Sequence, residues 1–140
     1  MAYQYDERDS RYGGPTDGDL SERDINVDDR VVVVDQPLDE TTPDQLTADV
    51  NNFSLADAIL TRFSANGART ITGFAGAKSG IKIIAFIGAN SLILPNESAS
   101  SDAQNRILTH SGASITLTDG QLAIMTYDLT SSRWRAGELT

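Results

Sequence analysis

From about residue 46 onward, short apolar runs recur roughly every ten residues, with turn-forming residues between them. The runs are Ala48–Phe53, Ile59–Ser64, Arg69–Phe74, Ile81–Ile87, Ser91–Leu94, Asn105–Leu108, Ser114–Leu117, Gln121–Asp128 and Arg133–Ala136. Asn66-Gly67, Ser79-Gly80, Gly88-Ala89-Asn90, Pro95-Asn96, Ser111-Gly112, Asp119-Gly120 and Ser131-Ser132 punctuate them. Such runs are too short for helices and suit strands. They predict one all-β domain over residues 46–140, a sandwich or a barrel. One stretch stays open: Ser54–Leu60 also suits a short helix, with Ser54 as its cap.

The preceding segment has a different character. Residues 1–45 hold 13 acidic and 4 basic residues, a net charge of −9, whereas residues 46–140 hold 7 of each. All of the acidic excess therefore sits in the first third. Ser10–Asp19 is rich in Gly, Asp, Pro and Ser and has little to bury. Ser21 could cap one helical turn, and Val31–Val34 is the first strand candidate. Pro37 and Pro43 favour extended backbone around them. Residues 1–45 thus read as an extended acidic arm and linker, with a reach on the order of 100 Å at about 3.3 Å per residue. Tyr3, Tyr5, Tyr12, Leu20, Ile25, Val31 and Val33 are the arm's candidates for contact with a partner.

Within the β region, Ser114–Thr118 alternates apolar and polar residues, which places one face in a core and one in water. Ile81–Ile87 does not alternate in this way. Ile81, Ile83, Ala85 and Ile87 share one face, and Ile84 and Phe86 share the other. A strand apolar on both faces lies in the middle of a core or against another subunit. In the second case Ile84 and Phe86 are the oligomer-interface candidates. Trp134 is expected to close a core, with Arg133 and Arg135 on the wet side of the same strand.

Candidates for reaction chemistry are few. The chain has no cysteine, which removes disulfides and thiolate chemistry. His110 is the only histidine, and no nucleophile elbow accompanies it. Asp17-Gly-Asp19 with Ser21 and Glu22 lacks the ligand spacing of a calcium loop. Gly73–Gly76 and Lys78–Gly80 lack phosphate-loop spacing. Asp102, Asp119 and Asp128 fall at predicted turns, a poor setting for a paired-carboxylate hydrolase. No catalytic residue, metal ligand or cofactor is expected. A sequence pI near 4.3 offers no basic stripe for nucleic acid, and no apolar stretch is long enough for a membrane helix. The first residues have no basic and apolar leader, so a signal peptide is not expected either. Asn52-Phe-Ser54 and Asn96-Glu-Ser98 match the glycosylation sequon.

Residues from about 50 to 136 resemble a small β-domain that recurs in tailed-phage virion proteins, among them tail fibres, head fibres and capsid decoration proteins. The resemblance runs through Val50–Phe53, Arg69–Phe74, Ile83–Asn90, Leu92–Ser98, Ala103–Leu108, Ser111–Leu117, Asp119–Leu122 and Tyr127–Arg135, in that order. It implies a β-sandwich, often trimeric, with a structural or attachment role and no reaction; the fold expected for residues 46–140 is therefore an antiparallel β-sandwich of jelly-roll type. A short chain with an acidic arm and no coiled-coil shaft suggests a capsid decoration, cement or head-fibre protein on the outside of the particle. Its arm would bind the major capsid protein or another virion protein. A tail-fibre or baseplate attachment module is the alternative within that class. A receptor- or glycan-binding module, with Tyr127 and Trp134 as the aromatic candidates, is the alternative outside it.

Overall fold

The computed structural model describes residues 39–139. The chain divides after Pro37. The arm residues Tyr3, Tyr5, Tyr12, Leu20, Ile25, Val31 and Val33 therefore lie outside the described residues. So do the Ser21 cap, the Val31–Val34 run and the Asp17–Glu22 stretch.

The described residues are all-β. Eleven strands follow one another: β1 Glu40–Thr41, β2 Phe53–Leu55, β3 Leu60–Phe63, β4 Arg69–Thr70, β5 Phe74–Gly76, β6 Ile81–Phe86, β7 Leu92–Leu94, β8 Ile107–Thr109, β9 Ile115–Leu117, β10 Leu122–Asp128 and β11 Arg133–Leu139. Nearly every apolar run of the sequence supplies one of them. Ser54–Leu60 gives the end of β2, a turn and the start of β3, without a helix. β1 lies inside the segment expected as linker, so the β region takes in residues ahead of 46.

The pairing differs from the expected antiparallel sandwich. Five ladders are parallel: β1 with β3, β3 with β6, β2 with β5, β4 with β7, and β8 with β11. Single bridges Leu46↔Ala65 and Val50↔Ile71 are parallel too. In the first four of these ladders each run lies beside the run one full circuit later, at an offset of roughly twenty residues. The result is a β-solenoid-like coil. Equivalent positions stack along it: Val50 on Ile71, Phe53 on Phe74, Phe63 on Phe86. Runs separated by short turns serve either topology, because neighbouring runs can fold back as hairpins or turn a corner and continue. The internal likeness of Val50-Asn-Asn-Phe53 to Ile71-Thr-Gly-Phe74 is the sequence signal that distinguishes them.

After the third circuit the chain reverses. β9 runs antiparallel on β7, and β10 runs antiparallel on β6. β11 pairs antiparallel with β10 over seven residues. The largest sheet thus has the order β1-β3-β6-β10-β11-β8.

The core fills the coil. Phe63, Phe74, Phe86, Ile71, Ile84, Leu92, Leu94, Ile107, Leu117, Met125 and Trp134 are fully buried. Phe53 meets Phe63 and Phe74 edge-on, and Trp134 meets Phe74 and Tyr127 in the same way. Trp134 Nε1 donates to the Phe74 carbonyl at 2.8 Å, which satisfies the one polar atom of the indole.

A polar seam fastens the 95–106 segment to the coil. Asn52 takes a left-handed backbone (φ 52°), and its N–H donates to Ser101 Oγ at 3.0 Å. Its Oδ1 accepts from the Asp102 N–H and from Asn105 Nδ2 at 3.0 and 2.9 Å. Ser101 Oγ also meets Thr72 Oγ1 at 2.7 Å. The approach depends on Gly73, where a Cβ would lie 2.5 Å from the Asn105 carbonyl oxygen.

Candidate interaction face

β6 lies in the interior of the six-stranded sheet and sets the character of both faces. Its inward side holds Lys82, Ile84 and Phe86. Ile84 and Phe86 are 0% exposed, sealed by this chain's own core, so they do not form the oligomer interface considered from the sequence. They take the other expected role, that of a central core strand. Lys82 is 3% exposed, and its ammonium reaches Asp57 and the Ala58 carbonyl, both at 3.2 Å. Its stem thus lies along apolar surface while its head finds polar partners at the margin.

The outward side of β6 is the candidate functional surface. Ile81 is 57% exposed and Ile83 is half-buried. The neighbouring strands extend the same chemistry. Ile83 stands opposite Leu60 on β3 and Ile124 on β10, and Ile124 is 38% exposed. Ala85 stands opposite Leu122, which in turn stands opposite Leu139, 47% exposed. Directly opposed residues share a face, so these side chains form one apolar strip across β3, β6, β10 and β11, in which Ala85 is buried, Leu60, Ile83 and Leu122 are half-buried, and Ile81, Ile124 and Leu139 are exposed. Exposed apolar side chains grouped on one sheet face make it a candidate contact surface.

Charged groups border the strip and are already paired. Arg62 on β3 bonds Glu40 on β1. Arg135 Nε donates to Asp128 Oδ2 at 2.7 Å. The Arg135 guanidinium, the Ser131 hydroxyl and the Thr130 N–H together hold the Asp128 carboxyl down to about 2. Beyond Arg135 lies an open groove of about 590 Å³ lined by Leu108, His110, Ser111, Arg135 and Gly137, among others. His110 is exposed there, and Ser111 Oγ accepts from the Ala113 N–H at 3.2 Å.

The remaining sequence candidates are engaged in the fold. Trp134 is fully buried and offers no platform for a sugar. Tyr127 donates its hydroxyl to the Gln104 carbonyl at 2.8 Å, and its ring lies beside Trp134 and below the Lys78 ammonium. Burial lowers the pKa of that ammonium, which also donates to Asn105 Oδ1 at 2.6 Å. Asp119 Oδ1 accepts from the Gly88 N–H at 2.8 Å. Both sequon asparagines are bonded, Asn52 in the polar seam and Asn96 to the Thr109 N–H at 2.8 Å. Among the described residues no group of three or more His, Asp or Glu side chains is placed to hold a metal ion. What this surface can do chemically is bury apolar area.

The outward residues Ile81, Ile83, Leu122, Ile124 and Leu139 were not singled out from the sequence as a site. The alternation of Ile81, Ile83 and Ala85 was legible, but it does not say which side faces out. Comparison with family models, with curated proteins and with solved structures found no match to this chain.

Proposed function

We propose that this chain is a structural, non-enzymatic component of a phage virion. In this reading it is a capsid decoration protein of cement or head-fibre type on the outside of the particle. Residues 1–45 anchor it to the major capsid protein or a neighbouring virion protein, and the β region projects as a homotrimer. The observation that carries the reading is the division of labour along the chain. A net charge of −9 is confined to residues 1–45, joined to a region of no net charge that exposes Ile81, Ile124 and Leu139 on one sheet face. A charged segment of low hydrophobicity suits wrapping over a complementary surface. An exposed apolar face on a small domain suits association of copies. The resemblance to virion β-domains points the same way.

Particle binding tests the anchor. A chain lacking residues 1–30 should lose binding to particles while its β region keeps its circular dichroism and melting temperature. Undiminished binding refutes the anchor. Copy number per particle separates a decoration protein, present over the whole shell, from a tail or baseplate module present at one vertex. The glycan-binding alternative loses its best aromatic candidate with Trp134 buried.

A further inference from the structure

Asn66-Gly67 is the one Asn-Gly pair in the chain, and the coil places it at an exposed corner between β3 and β4. Arg69 reaches back to it. Its Nε and Nη2 donate to Asn66 Oδ1 at 3.0 and 2.8 Å. The Gly67 N–H makes no backbone hydrogen bond among the described residues. Gly67 has no Cβ to shield its nitrogen. The corner thus combines an amide whose carbonyl is gripped by a cationic fork with a neighbouring backbone nitrogen that is unshielded and uncommitted.

We infer that Asn66 is a site of spontaneous deamidation and that Arg69 promotes the reaction. The Gly67 nitrogen gives up its proton to solvent and attacks Asn66 Cγ. A C–N bond forms, the Cγ–Nδ2 bond breaks, and ammonia leaves with a proton from water. Water then opens the five-membered imide at either carbonyl, giving aspartate or isoaspartate at position 66. During the attack, negative charge develops on Oδ1, the atom the Arg69 fork already holds. The aspartate product keeps both bonds to Arg69 as an ion pair and adds one negative charge to a neutral region. The isoaspartate product lengthens the main chain between two stacking bonds. These are Asn66 N–H to the Leu46 carbonyl and Arg69 N–H to the Ser91 carbonyl, both at 3.0 Å. That product loosens the corner where consecutive circuits of the coil meet.

The test is a time course of the full chain at mildly alkaline pH, read by peptide mass mapping with isoaspartate distinguished from aspartate. Asn90, exposed and followed by Ser91, is the internal control. Asn66 should convert well ahead of Asn90, and faster as pH rises. Gly67→Ala has room for its Cβ, whose nearest neighbour would be the flexible Arg69 head at 3.8 Å. It should slow conversion about tenfold, a barrier increase of about 1.4 kcal/mol. Arg69→Lys keeps the charge but loses the fork. It should slow conversion by roughly two- to tenfold, less than the hundredfold or more of donors in a water-excluded site. Asn66 remaining an amide while Asn90 converts would overturn the proposal. So would a rate in Gly67→Ala equal to that of the unaltered chain, or an Arg69→Lys protein that converts as fast or faster. Melting curves of each variant confirm that the corner is folded when the rate is read.

Discussion

Strand β6 presents Ile84 and Phe86 to one side of its sheet and Ile81 and Ile83 to the other. The side chains are of the same kind, yet the first pair is sealed at 0% exposure while Ile81 is 57% exposed. Composition does not separate them; the coil does. The inward side meets the buried cluster that fills the coil, whereas among the described residues the outward side is flanked by β3 and β10. An apolar residue inside the closed circuit is therefore committed to the fold, whereas Ile81 on the outside keeps most of its surface in water.

Substitutions on the two sides test this contrast. Ile84→Asp buries a charge with no partner and should cost about 3–5 kcal/mol, a large fraction of the stability of a small domain. A melting temperature equal to that of the unaltered chain would mean the inward side is not sealed. Trp134→Ala, also inward, should cost about 3–5 kcal/mol in a denaturant titration, through the cavity and the unpaired Phe74 carbonyl. The polar seam is an intermediate case. Asn52→Ala should cost about 1–3 kcal/mol, because two donors lose their acceptor and the left-handed backbone loses its favoured residue. Ile81→Asp, outward, should change the stability of the isolated fold by about 1 kcal/mol or less, yet lower the particle mass seen by light scattering. A change in stability without a change in mass would assign that side to the fold.

The smallest effect concerns the border of the strip. Asp128 titrates at about 2 in the folded chain, below the 3.8 of a free aspartate. A depressed carboxyl stabilises the fold above its unfolded pKa, and that stability is lost as pH falls through its folded pKa. The melting temperature of Asp128→Asn should therefore converge on that of the unaltered chain between about pH 4 and 2. The carboxyl is partly open to water, which screens it, so the difference that disappears is small.

The positions of the strands were legible because Val, Ile, Leu and Phe clusters alternate with Gly, Asn, Asp and Ser turns. The partners of the strands were less so. The offset that pairs Leu60 with Ile83 appears only when whole circuits are superimposed, and Phe53/Phe74 and Phe63/Phe86 are its clearest traces. The side on which the candidate face lies was hidden by Lys82. A lysine in register with Ile84 and Phe86 suggests water on that side, yet its long stem allows burial while Asp57 takes the charge. Trp134 was legible as a core residue because the arginines flanking it alternate with it.

The order of β10 and β11 in the largest sheet has a kinetic consequence. The strands made last occupy interior places, between β6 and β8. Trp134 closes onto Phe74 across 60 residues of chain. While the polypeptide is still emerging from the ribosome, three circuits wait with an unpaired β6 edge and an open hydrophobic channel. Closure is a single late event that depends on the final hairpin and its distant contacts, so this domain should fold slowly for its size and only after synthesis has passed β11.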